Sequence, residues 1–198
     1  DYSFVRGYKL VRSRDINPIT RPVAGNPLAS FLTGRLDPSI GARVYFESAA
    51  DSYYHAGSFS IGGELFTGFN LLAHYTLSKT IDNFVDFSPT IPAINPIDPL
   101  NPGRERALSL QDVRSRLVFS GNYQTNKQKN IILKDFTVST ILTLESGRPY
   151  NLISGGDFDM NGDFPPSDRP LGISRNAGIT PGSASFDLRL ARTFSFGE

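Results

Sequence analysis

Residues 157 to 168 read Asp157-Phe-Asp159-Met-Asn161-Gly162-Asp163-Phe-Pro-Pro-Ser-Asp168. Side chains bearing oxygen fall at the first, third, fifth, seventh and last positions, and glycine falls at the sixth. A hard cation such as calcium wants oxygen ligands on alternate residues, a glycine for the sharp turn and a closing carboxylate. Asp157, Asp159, Asn161, Asp163 and Asp168 are therefore the candidate metal ligands, with calcium as the candidate cofactor. The stretch departs from the helix–loop–helix calcium site in three ways. Asp168 stands where a longer Glu is usual, Pro165 and Pro166 interrupt the second half, and the flanks alternate like strands. The plainer reading is a polar turn, because Asp, Asn, Gly and Pro are what long turns are made of. Five ligand types in register exceed what a turn needs.

A second concentration of charge surrounds residues 80–116: Asp82, Asp86, Arg104, Glu105, Arg106, Asp112, Arg114 and Arg116. Arg104, Asp112, Arg114 and Arg116 are candidate contacts for a polar ligand. Ion pairs that pin a long loop to its strands would give the same composition, and such pairs are commoner than binding sites. His55 and His74 fall on adjacent strands of one hairpin, but two ligands are too few for a metal site. No enzyme is expected. Cysteine is absent, and no GxSxG, HExxH or glycine-rich phosphate loop occurs. The carboxylates sit in loops without a pattern that singles out an acid and a base.

The elements that must position these residues read as strands. The chain has 198 residues, net charge +1, 18 Gly, 14 Pro, 15 Phe and 8 Tyr. Balanced charge gives no electrostatic case for nucleic acid, and no apolar run is long enough for a transmembrane helix. Period-two alternation marks strands over 2–12, 43–65, 69–79, 113–123, 136–145 and 185–196. In 69–79, for example, Phe69, Leu71, Ala73, Tyr75 and Leu77 face one way, and Asn70, Leu72, His74, Thr76 and Ser78 the other. Residues 49–52 read as a bulge or small turn, and Thr67-Gly68 as a tight hairpin turn. Prolines exclude regular structure from much of 13–41 and 80–111.

Two regularities follow. Each strand has an apolar face and a face of Ser, Thr, Asn, Gly and charges. Connections alternate between long and short. A soluble sandwich explains the first regularity. A membrane barrel explains both, with short periplasmic turns and long extracellular loops. The strands also approach the length needed to cross a bilayer. Aromatics near strand ends (Tyr2, Tyr54, Phe69, Tyr123, Phe194, Phe196) fall where interfacial girdles would sit. The expected fold is all-β: part of an antiparallel up-and-down transmembrane β-barrel.

Six short motifs occur in order: Ser52-Tyr-Tyr-His-Ala56, Ala73-His-Tyr-Thr-Leu-Ser-Lys-Thr-Ile-Asp82, Gln111-Asp-Val-Arg-Ser-Arg-Leu-Val-Phe-Ser-Gly121, Leu144-Glu-Ser-Gly-Arg-Pro-Tyr150, Asp168-Arg-Pro170 and Ala184-Ser-Phe-Asp-Leu-Arg-Leu-Ala-Arg-Thr-Phe194. Together they resemble the C-terminal barrel region of TonB-dependent outer-membrane receptors, within them the Oar-like group that bears a carboxypeptidase regulatory domain. The resemblance implies a barrel of about 22 strands around a plug. It implies ligand binding by the extracellular loops and plug, and import driven through TonB. Residues 1–198 would be one piece of such a barrel, with about six long strands and without the plug or final strands. The expected partners are outer-membrane lipid, the TonB complex through the plug, and a bulky or scarce nutrient, in the outer membrane of a Gram-negative bacterium. The alternative is a calcium-dependent β-sheet module for surface binding or adhesion, without transport.

Overall fold

A computed structural model describes residues 1–83, 96–125, 134–158 and 168–194. Six long strands form one antiparallel sheet: β1 (Tyr2–Asp15), β2 (Val44–Phe66), β3 (Phe69–Asp82), β5 (Ser115–Gln124), β6 (Phe136–Glu145) and β9 (Ser183–Arg192). Their spatial order is their chain order, as an up-and-down meander requires. The short β4 (Ala107–Leu108) pairs with the end of β3, and β7 (Pro149–Tyr150) pairs with β8 (Gly178–Ile179) in a separate ribbon. The sheet is open: among the described residues, β1 and β9 each pair along one side only.

The pairing register fixes what each face carries. Ile61, Ala73, Phe119, Leu142 and Phe186 form one continuous row across five strands. Phe59, Tyr75, Leu117, Leu144 and Ala184 form a parallel row two residues away. The intervening row, on the opposite face, is Ser60, His74, Val118, Thr143 and Ser185. Another row of that face is Glu64, Asn70, Asn122, Ser139 and Arg189. Val118, Leu72 and Ile141 are apolar residues on the polar face, with Leu72 lying over Gly62.

Among the described residues nothing packs against the apolar face. Among the described residues the only buried hydrophobic side chains are Ala50 and Ala56. Phe59, Ile61, Phe186, Leu188 and Leu190 are each more than half exposed. Burying one large apolar side chain is worth about 1.5–3 kcal/mol. A sheet in water that left all these exposed would forgo more than the whole stability of an ordinary domain, about 5–15 kcal/mol. The face is built for an apolar solvent.

Aromatic side chains close the band at the short-turn end. Phe66 stacks on Phe69 with ring centroids 5.0 Å apart, Tyr123 lies 5.9 Å from Phe66, and Arg192 sits over Phe136 at 5.0 Å. At the other end Tyr2 and Phe4 pack beside His55, which hydrogen-bonds the Tyr2 hydroxyl at 2.7 Å. Tyr54 does not belong to a girdle. It pairs with Val5 and Thr80 on the polar face, one residue out of phase with the aromatic rows. Phe196 lies outside the described residues.

All three long connections, 16–43, 83–114 and 146–182, leave from the same end of the sheet. The two shorter connections lie at the other end. Thr67-Gly68 makes the tight turn, with Gly68 at φ 86° and its N–H donating to Glu64 at 2.8 Å. A Cβ on Gly68 would lie 2.5 Å from the Gln124 carbonyl oxygen, so glycine is required there on two counts.

Two local expectations are sharpened or changed. Residues 49–52 are not a turn, because β2 runs unbroken through them. They hold a bulge, as expected: Leu10 pairs with Ala50 and Val11 with Ser48, which leaves Ala49 as the extra residue, and a second irregularity lies in β1 between Gly7 and Leu10, where Lys9 takes φ 54°. This second irregularity carries Leu10 off the face of Phe4 and over Gly7. Asn26-Pro27, which reads as a break, instead starts a short helix α1 (Pro27–Thr33). Asn26 is its N-cap, accepting from the Ala29 N–H at 3.0 Å, and proline at the first helical position costs no hydrogen bond.

Candidate functional site

The long-loop end of the sheet carries the chemistry. Connection 83–114 folds back on β3 through carboxylates. The Thr80 N–H donates to Asp112 Oδ1, and Ser78 Oγ donates to the Val113 carbonyl at 2.7 Å. Arg114 Nη1 donates to the Ser78 carbonyl at 3.3 Å. Glu105 ends a single 3₁₀ turn (Pro102–Glu105) and is 1% exposed.

Connection 146–182 then clasps it. Arg169 makes a two-pronged contact with Glu105, Nη1 to Oε2 at 2.8 Å and Nη2 to Oε1 at 2.9 Å. Arg175 donates through Nε to the Glu105 carbonyl at 3.0 Å and pairs through Nη2 with the Asp82 carboxylate at the end of β3. Asn176, in the left-handed region at φ 56°, donates to the Leu108 carbonyl at 2.8 Å. Two carboxylates and two guanidiniums thus balance in a buried cluster. Pairing is what makes burial of such groups tolerable.

Connection 16–43 has its own knot. Arg35 Nη1 pairs with Asp15 Oδ2 at 2.7 Å, both side chains nearly buried. Asp15 Oδ1 accepts from the N–H groups of Asn17 and Arg43, each at 2.9 Å. Below this knot, Glu47 in the extended part of β2 meets Arg12 at 2.7 Å and Arg14 at 3.2 Å. Burial would raise its pKa, but hydrogen bonds from Arg12 and Arg14 outweigh that and hold it below the ordinary value. Asp37 is held low by hydrogen bonds from the Ser39 hydroxyl and N–H.

The four candidate ligand contacts do not converge. Asp112 and Arg114 are spent on the loop–wall junction. Arg116 lies on the polar face, paired with Glu145 at 2.8 Å and about half exposed. Arg104 is the exposed one, 3.4 Å from Asp98, and lines a cavity of about 280 Å³ with Arg169 and Leu171. A second cavity of about 450 Å³ adjoins it, lined by Ile97, Phe158, Asp168 and Leu171 among others. Arg169 and Arg175 are the residues that single-sequence reasoning passed over as site-builders. Arg169 could have been found through the Asp168-Arg-Pro170 motif; nothing local marks Arg175.

Of the candidate calcium ligands, Asp159, Asn161 and Asp163 lie outside the described residues. Asp157 and Asp168 stand at the base of that loop. Asp168 is buried, its carboxylate accepts from the Phe158 N–H, and its carbonyl accepts from the Ser154 N–H at 2.8 Å. Among the described residues, no three His, Cys, Asp or Glu side chains gather as a metal-binding group. His55 and His74 sit on opposite faces of the sheet: His55 pairs with Lys79, and His74 with Ser60. They cannot share an ion.

An apolar band on one face, a polar opposite face and long loops at one end are the features of an outer-membrane wall. The family model for the outer membrane beta barrel domain matches residues 1–194. The chain belongs to that family. This barrel domain is therefore a component of the outer membrane of Gram-negative bacteria, and its apolar face meets lipid. No curated protein and no solved structure matches the chain. For this outer-membrane barrel, the end bearing the three long connections is the extracellular one, so the cavities beside Arg104 and Asp168 lie on that side.

Proposed function

We propose that this barrel segment belongs to a TonB-dependent receptor that imports a bulky or scarce nutrient. The observation that carries the reading is the clasp of connection 146–182 onto connection 83–114. Here two long extracellular loops are locked together above the polar face, as capture of a ligand at the rim requires. The motifs that resemble the Oar-like receptors sit at these junctions: Asp112 and Arg114 where the wall begins, Arg169 where the loops join. Arg104 is the first ligand contact in this reading, because it is exposed at a cavity mouth. Calcium would bind across residues 157–168 and stiffen that outer rim. No catalytic step is assigned to the chain.

The test uses the full-length polypeptide containing this barrel, purified in detergent from outer membranes. Retention of the purified C-terminal domain of TonB by the folded protein supports the reading. A folded barrel that fails to retain it removes TonB-driven import and leaves an outer-membrane surface protein. Calcium is tested separately by titration of D157N/D159N against the parent. Equal affinities would remove the metal from the loop.

A further inference from the structure

On the outward face, the apolar band stops at a defined row. The last apolar row at the long-loop end joins Tyr2, Gly57 and Leu77. The next outward row is Phe4, His55 and Lys79, and the one beyond is Arg6, Tyr53 and Ile81. Ile81 pairs with Leu108 of β4, so Arg106, two residues before Leu108, returns to this same face. The Arg6 guanidinium lies 5.2 Å and the Arg106 guanidinium 5.0 Å from the centre of the Tyr53 ring. One ring thus holds two cations two rows, about 13 Å along the strand, beyond the last apolar row.

The patch is cationic in balance. Arg6 has one acidic neighbour, Asp51 at 3.5 Å, and remains about half exposed. Lys79 and Arg106 are exposed, and among the described residues neither has a carboxylate partner. His55 adds a ring nitrogen that is already engaged by the Tyr2 hydroxyl. Closure of a barrel joins strands at their edges and leaves this outward face uncovered, at the level of the headgroup layer beyond the apolar band. Three cations, one carboxylate and a tyrosine ring there match a headgroup that is anionic.

We propose that Arg6, Lys79 and Arg106, organised around Tyr53, form a docking site for a phosphate-bearing lipid headgroup of the outer leaflet. Lys79 stands one row beyond the band, and the Arg6 and Arg106 guanidiniums flank the Tyr53 ring in the row after it, so the three charges share one headgroup-sized patch. The inference rests on the outer-membrane assignment and is independent of whether the barrel imports anything.

The experiment reconstitutes the full-length protein in detergent with lipid A, then measures lipid retained per protein by native mass spectrometry. Diphosphorylated lipid A should be retained in a saturable way, and its dephosphorylated form should not. Each charge near an anionic surface contributes about fivefold in binding, so K79Q/R106Q should weaken retention about 25-fold. R192Q, which removes one charge at the opposite girdle, should change lipid A retention less than twofold. Equal retention of the phosphorylated and dephosphorylated lipids by the parent protein would overturn the proposal, and that comparison needs no variant to fold. Equal retention by K79Q/R106Q and parent, with the variant shown to be folded by its heat-dependent gel mobility, would overturn it as well.

Discussion

The wall and the cap of this molecule are held together by opposite means. In the wall each long strand pairs with the next long strand in the chain, and the central outward rows are apolar with no second layer over them among the described residues. In the cap the decisive contacts join residues 64 and 93 apart, Arg169 to Glu105 and Arg175 to Asp82, and they are charged and buried. The wall draws its stability from the solvent it faces together with its hydrogen-bond ladder. The cap carries its own solvent inside, as paired ions. Lipid can tolerate exchange of one apolar residue for another. A buried ion cluster tolerates no loss of a single member.

The largest effect should come from breaking the cap. In E105A the Arg169 guanidinium loses its carboxylate while Arg175 keeps Asp82, and removal of one partner of a buried pair costs about 3–5 kcal/mol. The loops should open to trypsin at Arg175 while the heat-dependent gel shift of the barrel persists. If the gel shift disappears together with loop protection, wall and cap are one cooperative unit and the contrast fails.

Next in size is a charge in the wall. Leu142 lies in the middle apolar row and Thr143, its neighbour, in a polar row. L142R should cost about 2–4 kcal/mol in a refolding titration into lipid, whereas a lumen position such as T143R should cost far less. Equal costs would mean that the faces have been assigned wrongly. The smallest effect is a pH dependence. The Glu47 pKa is lowered in the folded protein, so its contribution is complete above the ordinary value of 4.5 and is lost as pH falls below it. Hydrogen exchange at 10–15 and 44–48 should quicken over that acid range, with β6 unaffected. No change there would remove Glu47 as the tie between β1 and β2.

The same contrast decides what a reader of the sequence can see. Alternation in 69–79 and 136–145 writes the wall into neighbouring residues, because a strand's faces follow from period two alone. Long and short connections can be counted directly. The bulge at Lys9 broke that rule at one place, which is why Leu10 changes face unannounced. Helix α1 was hidden because Asn26-Pro27 signals a stop and a helix start equally well. The cap was the least legible part. Nothing near Arg175 in the chain says that Asp82 will be its partner, and a charge set around 80–116 is compatible with both a site and a brace. For Asp112 and Arg114 the geometry supplies the brace, and for Arg104 it leaves an exposed cation at a cavity.

The placement of all three long connections at one end also dictates an order of events. An outer-membrane strand arrives from the periplasm, so residues 16–43, 83–114 and 146–182 must cross the bilayer before they reach their final side. The buried Asp82–Arg175 and Glu105–Arg169 pairs need both of the later loops on that side at once. They cannot be assembled beforehand, because a preformed cluster would have to be carried through hydrocarbon as a folded lump of polar backbone. Threading therefore precedes locking. In a refolding time course the sheet should become resistant to heat first, and the loops should resist protease only afterwards, with the interval between them measuring how long the molecule stands inserted but uncapped.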